Sequence, residues 1–233
     1  MRIAVISDIH SNLEALKSAI SSIETLEADE IFCLGDIIGY GPFPNECVDL
    51  IRERCAAIVK GNHDSGLLGE TPLNHFNQYG RSAIEWTQKN ITGDNFDFLK
   101  QLPLARTNGD VTLVHASPLK PETWKYIIAW PDAEKCFEAF KTRLCFIGHT
   151  HVPVIVGEDS SINTFRKESR YLINVGSIGQ PRDGNPCASF GLLDTEKWTF
   201  ENVRVAYDIQ KTATAISKAK LPEFLGKRLF LGI

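Results

Sequence analysis

Histidine, aspartate and asparagine side chains recur in short polar motifs, and each motif directly follows an apolar run of the chain. The motifs are Ser7-Asp8-Ile9-His10, Gly35-Asp36, Gly61-Asn62-His63-Asp64, His115 and Gly148-His149-Thr150-His151. Imidazole nitrogens and carboxylate or amide oxygens are common ligands of divalent transition metals. A single buried histidine is more often a hydrogen-bonded core residue, but five of the six histidines lie in these ordered motifs. The pattern therefore favours a built metal site.

The apolar runs before the motifs are short and rich in isoleucine and valine, which predicts buried strands. These runs cover residues 2–7, 31–34, 56–59, 111–115 and 144–147. Amphipathic patterns predict helices over 12–26, 45–54 and 132–141, and two helices over 75–101 with a break near Thr92. Alternating strands and helices predict parallel strands, whose carboxyl ends share one edge of a sheet. We therefore expect the motif side chains to meet at that edge.

After residue 152 the pattern changes to short alternating runs. They cover residues 153–157, 161–165, 170–175, 188–194 and 198–205, and they predict an antiparallel sheet. The tail from Asp208 is predicted to be a helix followed by a segment that a proline interrupts. Because the chain contains no linker, repeat or low-complexity tract, we expect a single domain over residues 1–233 with two packed sheets.

The spacing within the motifs predicts how their side chains point. Asp8 and His10 are two residues apart, as are His149 and His151. On an extended strand end, residues i and i+2 point the same way, so each pair is expected to reach one region of space. Glycines at positions 35, 61 and 148 precede the polar residues, and they would allow the backbone to approach a crowded site.

Composition excludes several classes of protein. The chain has 233 residues, 43% of them apolar and 23% charged, with a net charge of −4. This balance argues against a dedicated nucleic-acid surface, which is normally basic. No run of apolar residues is long enough for a membrane span, and the chain begins directly with a strand pattern rather than a signal peptide. The six cysteines show no CxxC spacing, which favours a reduced, cytoplasmic protein.

The motifs, taken in order over residues 8–151, resemble those of the calcineurin-like metallophosphoesterase superfamily. The loops at 39–42 and 176–182 are similar to those of its small bacterial and archaeal phosphodiesterase-like branch, which is often grouped with diadenosine tetraphosphatases. The resemblance implies an α/β fold, namely a two-sheet αββα sandwich of mixed β-sheets flanked by helices.

The resemblance also implies a binuclear metal centre. The first metal would take Asp8, His10, Asp36 and His151, and the second would take Asp36, Asn62, His115 and His149. Asp36 would bridge the two ions. Two imidazoles and two oxygen donors at each position suit manganese, which we expect first, or iron, zinc, cobalt or nickel. A hydroxide shared by the ions would attack the phosphate, and His63 would be the general acid that protonates the leaving oxygen.

Two residues depart from the pattern of the protein phosphatase branch. There, an aspartate three residues after the bridging aspartate orients the acid histidine, and an arginine follows that aspartate; here Gly39 and Tyr40 stand in those places. Arg182 is a candidate phosphate contact because arginine suits bidentate phosphate binding, although it could equally be a surface turn residue. Tyr40 could pack or contact the substrate, and Asn62 could contact it as well.

The expected function is therefore hydrolysis of small phosphodiester or nucleotide-type phosphate esters by a metal-dependent phosphoesterase. The alternatives are a non-catalytic interaction module on the same fold and a protein phosphatase, the latter disfavoured by Gly39 and Tyr40. Cyclic nucleotides, dinucleoside polyphosphates and simple diesters all fit, and the sequence selects no oligomeric state. The loops at 39–46, 66–80, 117–131 and 179–187 are expected to form the pocket walls.

Overall fold

The computed structural model describes residues 1–159 and 165–233, and within them two mixed β-sheets of five strands each. The strands are β1 (Arg2–Ile6), β2 (Glu30–Cys33), β3 (Ala57–Ile58), β4 (Ala105–Asn108), β5 (Val111–Val114), β6 (Leu144–Ile147), β7 (Val154–Gly157), β8 (Tyr171–Asn174), β9 (Ala188–Asp194) and β10 (Thr199–Val205). The first sheet has the order β10-β9-β1-β2-β3, and the second has the order β4-β5-β6-β8-β7.

Helices flank the two sheets. They are α1 (Leu13–Thr25), α2 (Pro44–Arg54), α3 (Asn62–Leu67), α4 (Gln78–Asn90), α5 (Gly93–Lys100), α6 (Trp130–Cys136), α7 (Ile209–Lys218) and α8 (Glu223–Lys227). Side chains of α1 and α2 pack with the outer face of the first sheet, and Ala133 and Cys136 of α6 pack with the second. The two inner faces pack against each other. The chain therefore has the predicted αββα sandwich.

Strand β1 shows why the sequence before the first motif is apolar throughout. Ala4 and Ile6 pack towards the helices, whereas Ile3 and Val5 pack between the sheets. A strand that is buried on both faces needs a continuous apolar run rather than an alternation. The parallel pairing of β1 with β2 and of β2 with β3, and of β5 with β6 in the second sheet, confirms the predicted parallel strands.

The prediction of one antiparallel sheet after residue 152 is wrong. Strands β7 and β8 belong to the second sheet, where β8 pairs parallel with β6, whereas β9 and β10 extend the first sheet beside β1. An alternating pattern indicates which face a side chain takes, but it does not identify the neighbouring strand. The strand predicted over 161–165 falls almost wholly on residues 160–164, outside the described part of the chain.

Three local elements differ from the prediction. Strand β4 carries four exposed residues and no apolar pattern, so its pairing with β5 had no signal in the sequence. Helix α3 is only six residues long and begins within a polar motif. Helix α6 ends at Cys136 instead of continuing to residue 141. By contrast, α4 and α5 flank residues 91–92, close to the predicted break at Thr92.

Candidate metal centre

Main-chain hydrogen bonds hold the polar loops together at one edge of the sandwich. The N–H of Asp8 donates to the carbonyl of Gly35 at 3.0 Å, and the N–H of His10 donates to the carbonyl of Asp36 at 2.9 Å. In the second sheet, the N–H of Gly148 donates to the carbonyl of His115 at 2.8 Å. These loops follow the carboxyl ends of β1, β2, β5 and β6. The prediction that the motifs meet at this edge is confirmed.

The local backbone of the motifs is not the extended one that we predicted. Asp8, His10, His149 and His151 have φ angles of 54°, 50°, 67° and 63°. These values lie in the left-handed region, which residues other than glycine seldom adopt. As a result, His149 and His151 do not reach one region of space: they contribute to different groups of donor atoms. Backbone strain of this kind tends to accumulate at functional sites.

All three predicted glycines are required by close approach, and two of them lie directly against carboxylates of the site. A Cβ atom on Gly61 would lie 2.1 Å from Oδ1 of Asp36, and one on Gly148 would lie 2.4 Å from Oδ2 of Asp8. Both distances are far inside van der Waals contact. The two carboxylates can therefore occupy their positions only because these residues have no side chain.

The donor atoms of the motifs form three overlapping groups, and within each group they lie within 4.8 Å of one another. The groups are Asp8, His10 and His151; Asp36, His115 and His149; and His10, Asp36 and His63. All these residues are buried. The first two groups contain six of the seven candidate metal ligands, and the seventh, Asn62, has its Oδ1 atom 3.1 Å from Nε2 of His115.

Each of the four candidate ligand histidines has one ring nitrogen against a main-chain carbonyl. The pairs are Nδ1 of His10 with Ile38 at 3.2 Å, Nδ1 of His115 with Leu34 at 2.9 Å, Nδ1 of His151 with Gln180 at 2.5 Å, and Nε2 of His149 with Trp124 at 2.9 Å. A carbonyl can only accept, so the nitrogen that faces it must donate. The other nitrogen of a neutral ring then offers a lone pair, the arrangement common to metal-binding histidines.

In the group of Asp8, His10 and His151, these lone pairs face other acceptors instead of donors. Nε2 of His10 lies 3.2 Å from Nε2 of His151, which lies 3.1 Å from Oδ1 of Asp8. That Oδ1 atom is buried and accepts no hydrogen bond within the described residues. Acceptors at this separation repel each other unless a cation lies between them, and donors about 2.1 Å from one ion lie roughly 3.0–3.4 Å apart. The residues present therefore fit a divalent metal.

The group of Asp36, His115 and His149 also favours a positive charge. Nε2 of His115 lies 3.3 Å from Oδ2 of Asp36. Burial alone would lower the pKa of His115, but the carboxylates of Asp36 and Asp8 outweigh it and raise this pKa to about 9. A proton at this nitrogen and a bound cation satisfy the same negative potential, so a metal ion would replace the proton.

Asp36 lies between the two groups. Its Oδ2 atom is 3.7 Å from Nε2 of His10 and 3.3 Å from Nε2 of His115, while its Oδ1 atom accepts the main-chain N–H of His63 at 2.7 Å. Asp64 holds the loop that carries Asp36, since its carboxylate accepts the N–H groups of Ile37, Ile38 and Gly61. Asp64 sits in the first turn of α3 and ties α3 to the loop after β2.

His63 lies next to the centre, packed among aromatic rings. Its ring centroid is 4.5 Å from that of Tyr40 and 5.0 Å from that of Phe76. Nδ1 of His63 is buried without a hydrogen-bond partner in the described part of the chain. A Cβ at position 39 would lie 2.5 Å from this atom, so an aspartate that orients His63 would not fit in the place of Gly39. Burial lowers the pKa of His63 to about 4.

Gln180 is a residue of the site that sequence reasoning missed. Its main-chain carbonyl faces Nδ1 of His151, and its side-chain Oε1 accepts from Nη2 of Arg182 at 2.8 Å. This bond directs Arg182 towards the centre, with the guanidinium carbon 6.0 Å from the ring centroid of Tyr40. The only sequence signal was the position of Gln180 within the loop at 176–182.

A cavity of about 180 Å³ opens beside the centre. Its lining includes Tyr40, Asn62, His63, Thr71, His75, Phe76, Trp124, Tyr126 and His149. The loops predicted at 39–46, 66–80 and 117–131 therefore contribute walls. Lys125, between Trp124 and Tyr126, is exposed and pairs with Asp132.

Comparison with known proteins agrees with this arrangement. A model of the calcineurin-like phosphoesterase superfamily domain matches residues 1–198. The chain belongs to this superfamily. An uncharacterized protein of Methanocaldococcus jannaschii, MJ0912, is 46% identical over 241 residues, covering 99% of this chain and 98% of its own. Membership supports a phosphoesterase hydrolase that binds divalent metal.

Solved structures share the fold of this chain. A metallophosphoesterase from Sphaerobacter thermophilus is 40% identical with a TM-score of 0.89, covering 100% of this chain and 99% of its own. A hypothetical protein, PH1004, from Pyrococcus horikoshii OT3 is 20% identical with a TM-score of 0.82, covering 100% of this chain and 98% of its own, and it supports the fold alone. Among the described residues, no helix is both long and apolar enough to span a membrane.

Proposed function

We propose that this protein is a binuclear metal-dependent phosphoesterase that hydrolyses phosphodiester or nucleotide-type phosphate esters. The observation that carries the proposal is the position of Asp36. One oxygen of its carboxylate faces a histidine of each donor group, at 3.7 Å and 3.3 Å. Two neighbouring cations need a carboxylate that can bind both of them. Asp36 is buried between the two groups of metal-ligand atoms and could do so.

The donor groups would give each ion a set of four ligands, with Asp36 common to both sets. Asp8, His10, Asp36 and His151 would hold the first ion, and Asp36, Asn62, His115 and His149 would hold the second. Histidine nitrogens in both sets favour manganese, or iron, zinc, cobalt or nickel, over magnesium or calcium. When bound, the two ions supply an activated water and positive charge for the phosphate oxygens. Asp8 and Asp36 contribute two negative charges, so a net positive charge would attract the anionic phosphate.

Residues around the cavity supply the remaining chemistry. Arg182 is oriented by Gln180, lies beside Tyr40 and can pair with a phosphate oxygen, and the amide of Asn62 lines the cavity. Tyr40 packs against His10 and His63 and forms part of the wall. His63 faces this wall without being needed by either ligand set, so it is the group available to give a proton to the leaving oxygen.

The organisation of the core supports a single domain. We propose that residues 1–233 form a single domain, because side chains from both sheets share one core. All six cysteines are free, and four of them lie buried in apolar clusters, which favours a reducing compartment such as the cytoplasm.

Metal analysis and ester hydrolysis together test this function. Protein stripped of metal and reloaded with manganese should bind two ions and hydrolyse bis-nitrophenyl phosphate, and the stripped protein should not. Nitrophenyl monoesters, cyclic nucleotides and dinucleoside polyphosphates, assayed in parallel, would then separate a phosphodiesterase from other phosphoesterases. Two bound ions without hydrolysis of any ester would favour an interaction module on the same fold. A preference for phosphorylated protein over small esters would favour a protein phosphatase.

A further inference from the structure

His149 differs from the other candidate ligand histidines in how its ring is held. His10, His115 and His151 each present Nδ1 to a carbonyl from a loop at the sheet edge. His149 presents Nε2 instead, and its partner is the carbonyl of Trp124, at 2.9 Å, in the irregular segment between β5 and α6. The nitrogen left for a metal is therefore Nδ1, and the tautomer depends on a segment outside the sheet edge.

The carbonyl of Trp124 is held in place by the side chain of the same residue. Nε1 of the indole donates to Oγ1 of Thr71 at 2.8 Å, and Oγ1 of Thr71 donates to Oγ of Ser65 at 2.9 Å. Thr71 and Ser65 are both buried. Ser65 belongs to α3, the helix that begins with Asn62. The two bonds therefore join the segment that holds His149 to the helix that carries another candidate ligand of the same metal position.

Two further features show that the segment is fixed against His149. Trp124 has a φ angle of 53°, a left-handed conformation that is costly for a bulky residue and needs contacts to maintain it. Two residues later, the ring of Tyr126 stacks on His149 with centroids 3.9 Å apart and an interplanar angle of 26°. The ring of His149 is thus held both at its edge and at its face.

We propose that Trp124 is a positioning residue for the second metal position: its carbonyl selects the Nε2–H tautomer of His149, and its indole, tied to Thr71, keeps that carbonyl in place. This inference rests on the proposed binuclear centre. Because Thr71, Trp124 and His149 also line the cavity, the same contacts connect the wall of the substrate pocket to a metal ligand.

Metal titration of paired variants tests the proposal. Trp124→Phe keeps an aromatic ring but removes the indole N–H, and Thr71→Val keeps the shape of the side chain but removes the hydroxyl. Each should weaken the affinity for the second manganese ion by up to about 10–100-fold, the usual effect of losing the hydrogen-bond partner of a metal-binding histidine, because the carbonyl of residue 124 would no longer be held against His149. The first ion should keep its affinity. The double variant should be no weaker than either single variant, since both remove the same bond.

Thr71→Ser is the matched control, because it retains the hydroxyl and should retain the affinity for the second ion. Ser65→Ala removes only the next bond of the series and should have a smaller effect than Thr71→Val. Wild-type affinity for the second ion in both Trp124→Phe and Thr71→Val would overturn the proposal. Equal weakening of both ions would also overturn it, since that result would describe general damage to the centre.

A direct measurement on the unmodified chain keeps the proposal testable if a variant fails to fold. In the zinc-loaded protein, long-range ¹H–¹⁵N spectra should show His149 with its proton on Nε2 and the other three ligand histidines with theirs on Nδ1. A proton on Nδ1 of His149 would overturn the assignment. Failure of the wild-type protein to bind two ions would instead refute the proposed function, so the two failures are distinguishable.

Discussion

Replacing His63 by alanine should separate protonation of the leaving group from the rest of the reaction. The main-chain N–H of residue 63, which donates to Asp36 at 2.7 Å, survives the substitution. Neither proposed ligand set needs the His63 ring, so two ions should remain bound. The substitution should therefore lower kcat and leave the metal content unchanged.

The expected magnitude depends on the leaving group. Burial lowers the pKa of His63 to about 4, so keeping its ring protonated at pH 7 costs about 4 kcal/mol in the free protein. A general acid increases the rate roughly 10²–10⁴-fold, which corresponds to about 3–5 kcal/mol. Because this gain is similar to the cost of protonating His63, the acid role requires the negative phosphate to stabilise the charged ring. A ribose oxygen needs that proton, whereas a nitrophenolate leaves without it. His63→Ala should lose about 10²–10⁴-fold on nucleotide diesters and less than about tenfold on nitrophenyl esters.

The assay compares kcat for both ester classes in the wild type, His63→Ala and His63→Gln, with metal content measured on each sample. His63→Gln fills more of the space beside Tyr40 and Phe76, so it separates the loss of the acid from the loss of packing. His75→Ala is the matched control, because His75 lines the same cavity but is exposed. Equal losses on both classes would refute the acid role and would indicate that His63 positions the phosphate.

Three further substitutions and one treatment test the centre itself. Asp36→Asn should lower metal content at both positions and abolish turnover, and two retained ions with near-normal turnover would rule out the bridging assignment. Arg182→Ala should keep both ions and lower kcat/KM by about 10–100-fold, the equivalent of a lost charge-assisted bond; unchanged kinetics would return Arg182 to a surface turn role. Gly61→Ala should reduce metal content, because its Cβ would lie 2.1 Å from Oδ1 of Asp36; wild-type metal content would contradict that reasoning. Chelation should lower the thermal midpoint, since a ligand at 100 times its Kd stabilises by about 2.7 kcal/mol, whereas an unchanged midpoint would argue against a metal held by the folded state.

The sequence predicted the location of the site because polar residues followed buried strands. Continuous apolar runs indicated strands buried on both faces, and their parallel pairing brings the carboxyl ends to one edge. It could not predict the neighbours of β8 and β9, because alternation specifies the face of a strand and leaves its partner undetermined. The backbone at Asp8 and His149 was also missed, since aspartate and histidine adopt a left-handed conformation more often than most residues but still only in a small minority of positions.

The contacts that orient the histidine rings were out of reach for a different reason. The carbonyls of Leu34, Ile38, Trp124 and Gln180 make these contacts, and any residue type has a carbonyl. A side-chain motif can therefore identify candidate ligands, but only the folded chain determines which ring nitrogen is free. For His149 the free nitrogen is the opposite one from the other three.

The donor atoms come from both sheets, which connects the site to the core of the sandwich. Asp8, His10 and Asp36 follow strands of the first sheet, whereas His115, His149 and His151 follow strands of the second. Two short contacts therefore join residues of different sheets. Nε2 of His151 lies 3.1 Å from Oδ1 of Asp8, and Nε2 of His115 lies 3.3 Å from Oδ2 of Asp36. The apolar core between the inner faces sets these distances, so each proposed metal position depends on the packing of the two sheets. Conversely, ions that bind both sets of ligands would stabilise the folded pairing of the sheets at this edge.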